Sequence, residues 1–197
     1  VIPAGGLDTD PGLRNGRHRH TDLKACWHSI GDRLECVDTP GAEGGMHGVV
    51  PTRLQTRHFA PTPGMLHGSC LCGTVAYVIT QPFSVIHNCH CSRCRKARAA
   101  AHTTNGFVPL EAFAFTRGEE ALCEYKVPAA LSFGQAFCTV CGGGMPRRNM
   151  KSRAVSVPLG SLDEDTSQTP DDHIFVGSKA PWYEIADELP QFALWPD

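Results

Sequence analysis

No stretch of this sequence is apolar for the roughly 20 residues that a helix needs to cross a bilayer, and none joins a basic start to an apolar core as an export signal does. No membrane partner is expected, and a cytoplasmic location is. Charge of one sign is equally lacking: 18 Lys and Arg stand against 20 Asp and Glu, for a formal net charge of −2. Without a basic footprint there is no case for a nucleic-acid partner, and without an acidic block there is none for a solvating tail. No internal repeat is evident. At 197 residues the chain has room for one domain with a core and a tail, and the sequence leaves its oligomeric state open.

What the chain does have is cysteine, ten residues of it. Three groups carry the signal: Cys70-x-Cys72, Cys89-x-Cys91-x-x-Cys94 and Cys138-x-x-Cys141. Within each group the thiols stand too close along the chain to bridge without strain, whereas convergence on one metal ion suits them. Disulfide frameworks belong to small exported chains, and neither property is found here. Zinc is the expected metal, at two sites.

A closed tetrahedral zinc site takes four ligands, usually as two local pairs. Cys70 with Cys72 and Cys138 with Cys141 are such pairs, and they are assigned to one structural zinc; the alternative is two unrelated pairs of buried thiols. Gly73 and the glycines 142–144 are expected to turn backbone amides towards the sulfurs and damp their charge. Cys89, Cys91 and Cys94 make a three-ligand set, and an open fourth position is what a metal site needs to take up water or substrate. His87, His90 or Cys123 would instead close that set. Three thiolates make a weak Lewis acid, which favours holding a soft thiolate over activating water. Arg93, Arg95, Lys96 and Arg98 surround this set, and Arg147 and Arg148 follow the last one. Arg95 and Lys96 are candidates to grip the carboxylates of an anionic thiol ligand, although singly each is more often a solvated surface charge.

Residues 1–64 are rich in Gly, Pro, Arg and His without sustained periodicity, and read as an irregular N-terminal extension. Cys26, Cys36 and the histidines His18, His20, His28, His47 and His58 make a metal site conceivable there, but a flexible extension without chemistry is the stronger expectation. Residues 65–197 read as one zinc-binding domain. Short β-branched and aromatic runs at 74–79, 85–86, 107–110, 112–116, 121–125, 132–137 and 154–158, separated by turn signals, predict a mainly β fold. A short helix is predicted over 95–101, closed by Asn105-Gly106. Pro181 and Pro190 exclude one long helix through 173–192.

Four segments then stand out in order: Gly68-Ser69-Cys70-Leu71-Cys72-Gly73 with Val75 and Tyr77; Cys89-His90-Cys91-Ser92-Arg93-Cys94-Arg95-Lys96; Phe137-Cys138-Thr139-Val140-Cys141-Gly142; and His173-Ile174-Phe175-Val176 with Ser178-Lys179-Ala180-Pro181-Trp182. Together they resemble the glutathione-dependent formaldehyde-activating enzyme (GFA) family, whose members adopt a mainly β zinc-binding fold called the β-tent. The resemblance covers about 65–192 and implies a GFA-type domain with short helices. It implies a structural zinc on Cys70, Cys72, Cys138 and Cys141, and a second, open and catalytic zinc on Cys89, Cys91 and Cys94. The implied activity is that of a carbon-sulfur lyase, in which a small-molecule thiol such as glutathione, as co-substrate, adds to an aldehyde such as formaldehyde or is released from the adduct.

A reading of a different class is a non-catalytic zinc module of the same fold that binds a protein partner. A thiol-based metal store is weaker, because the strands and aromatics indicate a packed fold. Trp182 and Tyr183, flanked by Pro181, read as core anchors for the terminal segment before they read as a ligand groove. His173 reads as a hydrogen-bonded strand residue and Cys123 as a buried apolar thiol.

Overall fold

Burial alternates with period two through most of 103–109 and 154–157, and these stretches form neighbouring inner strands of the largest sheet. The computed structural model describes residues 2–38, 64–131 and 133–196. Five strands lie in the order β11 (Arg147–Asn149), β12 (Ala154–Pro158), β6 (Thr103–Pro109), β5 (Val85–Cys89) and β13 (Asp172–Ile174). The ladders are antiparallel except that β13 runs parallel to β5. A three-stranded sheet is formed by β3 (Leu66–Ser69), β4 (Ala76–Ile79) and β7 (Phe113–Arg117), and another by β10 (Gly144–Met145), β9 (Gly134–Cys138) and β8 (Leu122–Lys126). The only α-helix among the described residues is α1 (Ser92–Arg98). The fold is mainly β, as the sequence predicts, and no described helix is long and apolar enough to cross a membrane.

The inward faces of the three sheets share one core. Tyr77 and Ile79 of β4, Ile86 of β5, Val108 of β6, Val155 and Val157 of β12, and Met145 of β10 are all buried in it. Each such aliphatic side chain contributes about 1.5–3 kcal/mol by leaving water. Cys70 and Cys138 lie in this same cluster, so two of the knuckle sulfurs are anchored in the hydrophobic interior.

Several boundaries differ from expectation. The helix begins at Ser92 rather than 95, because Cys91 caps it. Asn105 and Gly106 do not close the helix but lie within β6, where the missing side chain of Gly106 makes room for Phe83: an added Cβ would stand 2.4 Å from the Phe83 ring. The short strands β10 and β11 carry no hydrophobic run that would reveal them. Cys123 is exposed, not buried, because β8 is an edge strand whose residues 123–126 are exposed on both faces.

Residues 2–38 are also more ordered than an irregular, flexible extension. They carry a two-stranded parallel ladder, β1 (Arg17–Arg19) with β2 (Glu35–Val37), and two 3-10 turns. His18 is clasped to Asp32 at 2.9 Å, Trp27 packs on the core, and the Cys26 thiol donates to the Thr166 carbonyl at 3.4 Å. Gly5 is buried against Ala99 and Ala100, and an added Cβ there would stand 2.1 Å from the Ala100 nitrogen. His47 and His58 lie outside the described residues.

Tyr77 gives the core a testable joint. Its hydroxyl is buried 2.7 Å from that of Ser161, and its ring covers Gly68, where an added Cβ would meet ring atoms at 2.1 Å and the Ser161 carbonyl oxygen at 2.6 Å. Gly68→Ala is expected to cost about 1–3 kcal/mol through overpacking, read as a lower denaturant midpoint. An unchanged midpoint would show that this contact yields without strain.

Candidate metal centres and the adjoining imidazole cluster

The segments of β3, β4 and β9 bring two cysteine pairs together from opposite ends of the domain. The sulfurs of Cys70, Cys72, Cys138 and Cys141 all lie within 4.8 Å of one another, with Cys70 to Cys72 at 3.5 Å and Cys72 to Cys138 at 4.0 Å. A zinc-sulfur bond of about 2.3 Å places tetrahedral sulfurs about 3.8 Å apart, so this set fits a closed thiolate site. Positive backbone dihedrals at Gly73 (φ 73°) and Gly142 (φ 71°) turn each knuckle. Their amides, expected to face sulfur, instead donate to the carbonyls of Cys70 and Cys138, each at 2.8 Å. The amide that reaches a sulfur is that of Val75, at 3.3 Å from Cys70.

The charge of the set is uneven. Burial pushes the Cys70 thiol up to about 11, while hydrogen bonding to Thr74 lowers Cys72 to about 6. Four sulfurs this close do not ionise together without a cation between them. All ten cysteines are free, and the donor chemistry suits zinc.

β5 ends on Cys89, and α1 starts directly behind Cys91 and contains Cys94. This places three further sulfurs within 4.8 Å of one another. Cys91 has two roles there: its sulfur caps α1 by accepting the Cys94 amide at 3.3 Å, and it faces the other two sulfurs. Hydrogen bonds with Cys89 and Cys94 lower Cys91 to about 2, and those same neighbours push Cys94 well above the thiol range. Hydrogen bonding with Cys91 likewise raises Cys89, to about 12. Three sulfurs this close share their negative charge unevenly, and a cation among them would let all three ionise. Neither His87, His90 nor Cys123 joins this group among the described residues. The Nδ1 of His87 is occupied by Asp172 at 2.6 Å.

His90, between Cys89 and Cys91, is fully buried and opens a chain of three groups. Its Nε2 lies 2.8 Å from Nδ1 of His173, and Nε2 of His173 lies 2.9 and 3.1 Å from the two carboxylate oxygens of Asp187. The carboxylate accepts, so His173 carries its proton on Nε2; in the neutral pair His90 donates from Nε2 and its Nδ1 is left as a lone pair. That Nδ1 is buried and has no partner. His102 stacks on His90 with ring centroids 5.0 Å apart, and its Nδ1 is likewise buried and unpartnered. Burial holds His90 down at about 3 and His102 at about 4, so both rings stay neutral.

The basic residues divide. Lys96 is ion-paired with Asp8, Arg147 with Glu124 at 2.6 Å, and Arg148 with Glu119, while the Arg148 guanidinium also lies 4.9 Å from the Phe115 ring centroid. Arg95 keeps a buried Nε without a partner. Arg98 passes beside Gly144, where an added Cβ would touch its guanidinium at 2.1 Å.

Residues 65–178, more than half of the chain, match the family model described as glutathione-dependent formaldehyde-activating enzyme. The chain belongs to the GFA family. No curated protein matches. Among solved structures, a Rhodobacter sphaeroides protein is 22% identical, with 53% of this chain and 97% of that chain covered, at a TM-score of 0.42.

The GFA match contains all seven clustered cysteines, and their spacing sorts them into the same two groups that the fold assembles. The histidine chain is not visible to sequence reasoning. His173 is legible as a hydrogen-bonded strand residue, but its partners lie far from it in sequence, and Asp187 falls beyond the matched residues. Trp182 and Tyr183 are half-buried and line a cavity rather than filling the core.

A neutral buried imidazole has a defined signature in acid. His102 has a folded value of about 4 against an ordinary 6.5, depressed first by burial, so its contribution is fully present above about pH 6.5 and is lost as pH falls towards 4. Between pH 7 and 5 the native chain is expected to lose about 1–2 kcal/mol more stability than His102→Gln, measured by urea unfolding at both pH values. Equal losses would mean that His102 titrates normally in the fold.

Proposed function

We propose that this GFA-family chain is a zinc-dependent carbon-sulfur lyase that forms or cleaves the adduct of glutathione with an aldehyde such as formaldehyde. The observation that carries this reading is the inequality of the two thiol sets: four sulfurs close one tetrahedron, while the other set stops at three.

Cys70, Cys72, Cys138 and Cys141 would hold a structural zinc, and Cys89, Cys91 and Cys94 a second one with room for a ligand. When bound, the second zinc supplies a lowered pKa for a substrate thiol, so that sulfur is available as a thiolate. The rest falls to the protein. The α1 cap fixes Cys91 relative to Cys94, and β5 fixes Cys89. The His173–Asp187 pair fixes the tautomer of His90, whose buried Nδ1 stays a bare, neutral hydrogen-bond acceptor. In the addition the sulfur lone pair forms the carbon-sulfur bond as the carbonyl π pair moves to oxygen. The proton lost from sulfur ends on that oxygen, and no acid or base is consumed. Arg95, with its unpartnered buried Nε, stands on the turn of α1 after Cys94 as a contact for an anionic ligand, a role closed to Lys96 while Asp8 holds it.

Metal analysis separates the roles of the two sets. The native chain is expected to carry two zinc ions; Cys91→Ala should lose one and stay folded, whereas Cys141→Ala should lose cooperative unfolding altogether. Unfolding of both variants alike would remove the distinction between catalytic and structural sets.

Turnover tests the chemistry itself. Glutathione and formaldehyde are expected to equilibrate with S-hydroxymethylglutathione faster with the native chain than without it, by exchange NMR, and Cys91→Ala should fall to the uncatalysed rate. A zinc-replete chain with no acceleration would instead favour a binding module.

A further inference from the structure

The family match ends at residue 178, and nothing before residue 65 belongs to it. Yet the segments on either side of those limits meet. Gly31 approaches the backbone of Ala186 so closely that an added Cβ would stand 2.4 Å from the Ala186 carbonyl oxygen. Around this contact, stretches of 14–34 and 179–187 form the walls of a cavity of about 1110 Å³, into which His102 also faces. A cavity of that size is large enough for a peptide-sized ligand.

The N-terminal wall is held in place. The His18–Asp32 clasp closes the loop that carries it, Trp27 packs against the core, and the β1–β2 ladder joins its ends. On the opposite wall, the Lys179 ammonium is engaged by the carbonyls of Ala180 and Tyr183, and Asp187 is held by His173. Most charges lining the cavity are therefore already satisfied within the protein: Asp32 by His18, Arg14 by Asp10, Asp187 by His173.

Two are not. Arg33 on the N-terminal wall and Glu184 on the facing wall are exposed, line the cavity, and form no hydrogen bond or ion pair among the described residues, with each other or with anything else. Each stands two positions from the Gly31–Ala186 contact. One free guanidinium and one free carboxylate lining the same cavity complement a ligand that carries both a carboxylate and an ammonium. Between them Trp182 and Tyr183 offer apolar ring surface, and His102 offers a buried nitrogen that lacks a partner. His102 connects this cavity to the thiol set: its ring lies 5.0 Å from that of His90, and the next residue, Thr103, donates its hydroxyl to the Cys94 carbonyl at 3.2 Å.

We infer that the N-terminal segment is part of the ligand site: residues 14–34 and 179–187 together bind the zwitterionic amino-acid end of a peptide thiol, with Arg33 on its carboxylate and Glu184 on its ammonium. This rests on the thiol-adduct reading above and adds to it a specificity determinant outside the family match. The chain discriminates among thiols by their amino-acid end, which a simple alkyl thiol lacks.

S-methylglutathione separates this inference from the chemistry, because its blocked sulfur cannot react while its zwitterionic end is intact. Titration calorimetry on the zinc-loaded full chain is expected to show binding that Arg33→Ala and Glu184→Gln each weaken about fivefold to tenfold. N-acetyl-S-methylglutathione, which has no ammonium, should bind native chain and Glu184→Gln equally. Both substitutions are at exposed positions, and their unfolding midpoints should match the native value. Failure of the native chain to bind S-methylglutathione, or equal binding by both variants and the native chain, would overturn the assignment. Binding with the expected variant losses but no catalysed addition of glutathione to formaldehyde would leave the site standing and remove the lyase.

Discussion

Four sulfurs from two distant knuckles converge at the core of this fold, and their charge is the constraint from which the rest follows. Cys70 and Cys138 lie in the hydrophobic core, while Cys72 is exposed and Cys141 half-buried. Buried thiols resist ionisation, as the raised value of Cys70 shows, so the set reaches an all-thiolate state only around a cation. A metal ion held there would tie its ligation to the formation of the core. The sheet containing β9 docks against that containing β4 where these sulfurs converge, and the residues that pack the junction also bring the ligands into range.

The second thiol set combines two tasks at shorter range. Cys91 ends the extended segment, caps α1 and points at two neighbouring sulfurs, so one atom sets helix start and ligand geometry together. The cap explains why a seven-residue helix without an acidic first turn forms here at all. Its far end closes on Ala99 in a left-handed conformation (φ 50°), where glycine is the usual residue. Gly5 of the N-terminal segment packs against that corner, which leaves no room for a side chain on the facing residue.

The sequence makes legible whatever local spacing determines. Cysteines two or three apart have to share a ligand field, so both sets can be read from spacing alone, and β12 and the β4 run follow from β-branched content. Long-range partnerships leave no such mark. His90, His173 and Asp187 sit in three separate segments, and nothing in the residues around Asp187 announces a carboxylate aimed at an imidazole. The contacts of the N-terminal segment leave no such mark either: Trp27 packs against the core, His18 is clasped to Asp32, and Gly5 meets Ala100. Cys123 misleads because β8 is an edge strand whose residues 123–126 are exposed on both faces, which only its place in the sheet reveals.

Burial and proton order together give the imidazole cluster its direction. Asp187 sits at one end, half-buried, and can accept but not donate; the far nitrogen of His90 lies at the other end, buried and without a partner. Every proton between them is assigned by that carboxylate, so the chain has a donor end and an acceptor end rather than two equivalent tautomers. Reversing it would place a proton on His90 Nδ1 and a lone pair against the carboxylate, which costs a charge-assisted hydrogen bond in the buried interior. The orientation of a ring beside the cysteines is thus set from a residue outside the family match, on the same terminal loop that forms one wall of the cavity. A change in that loop reaches the ring of His90, the residue between Cys89 and Cys91, through His173.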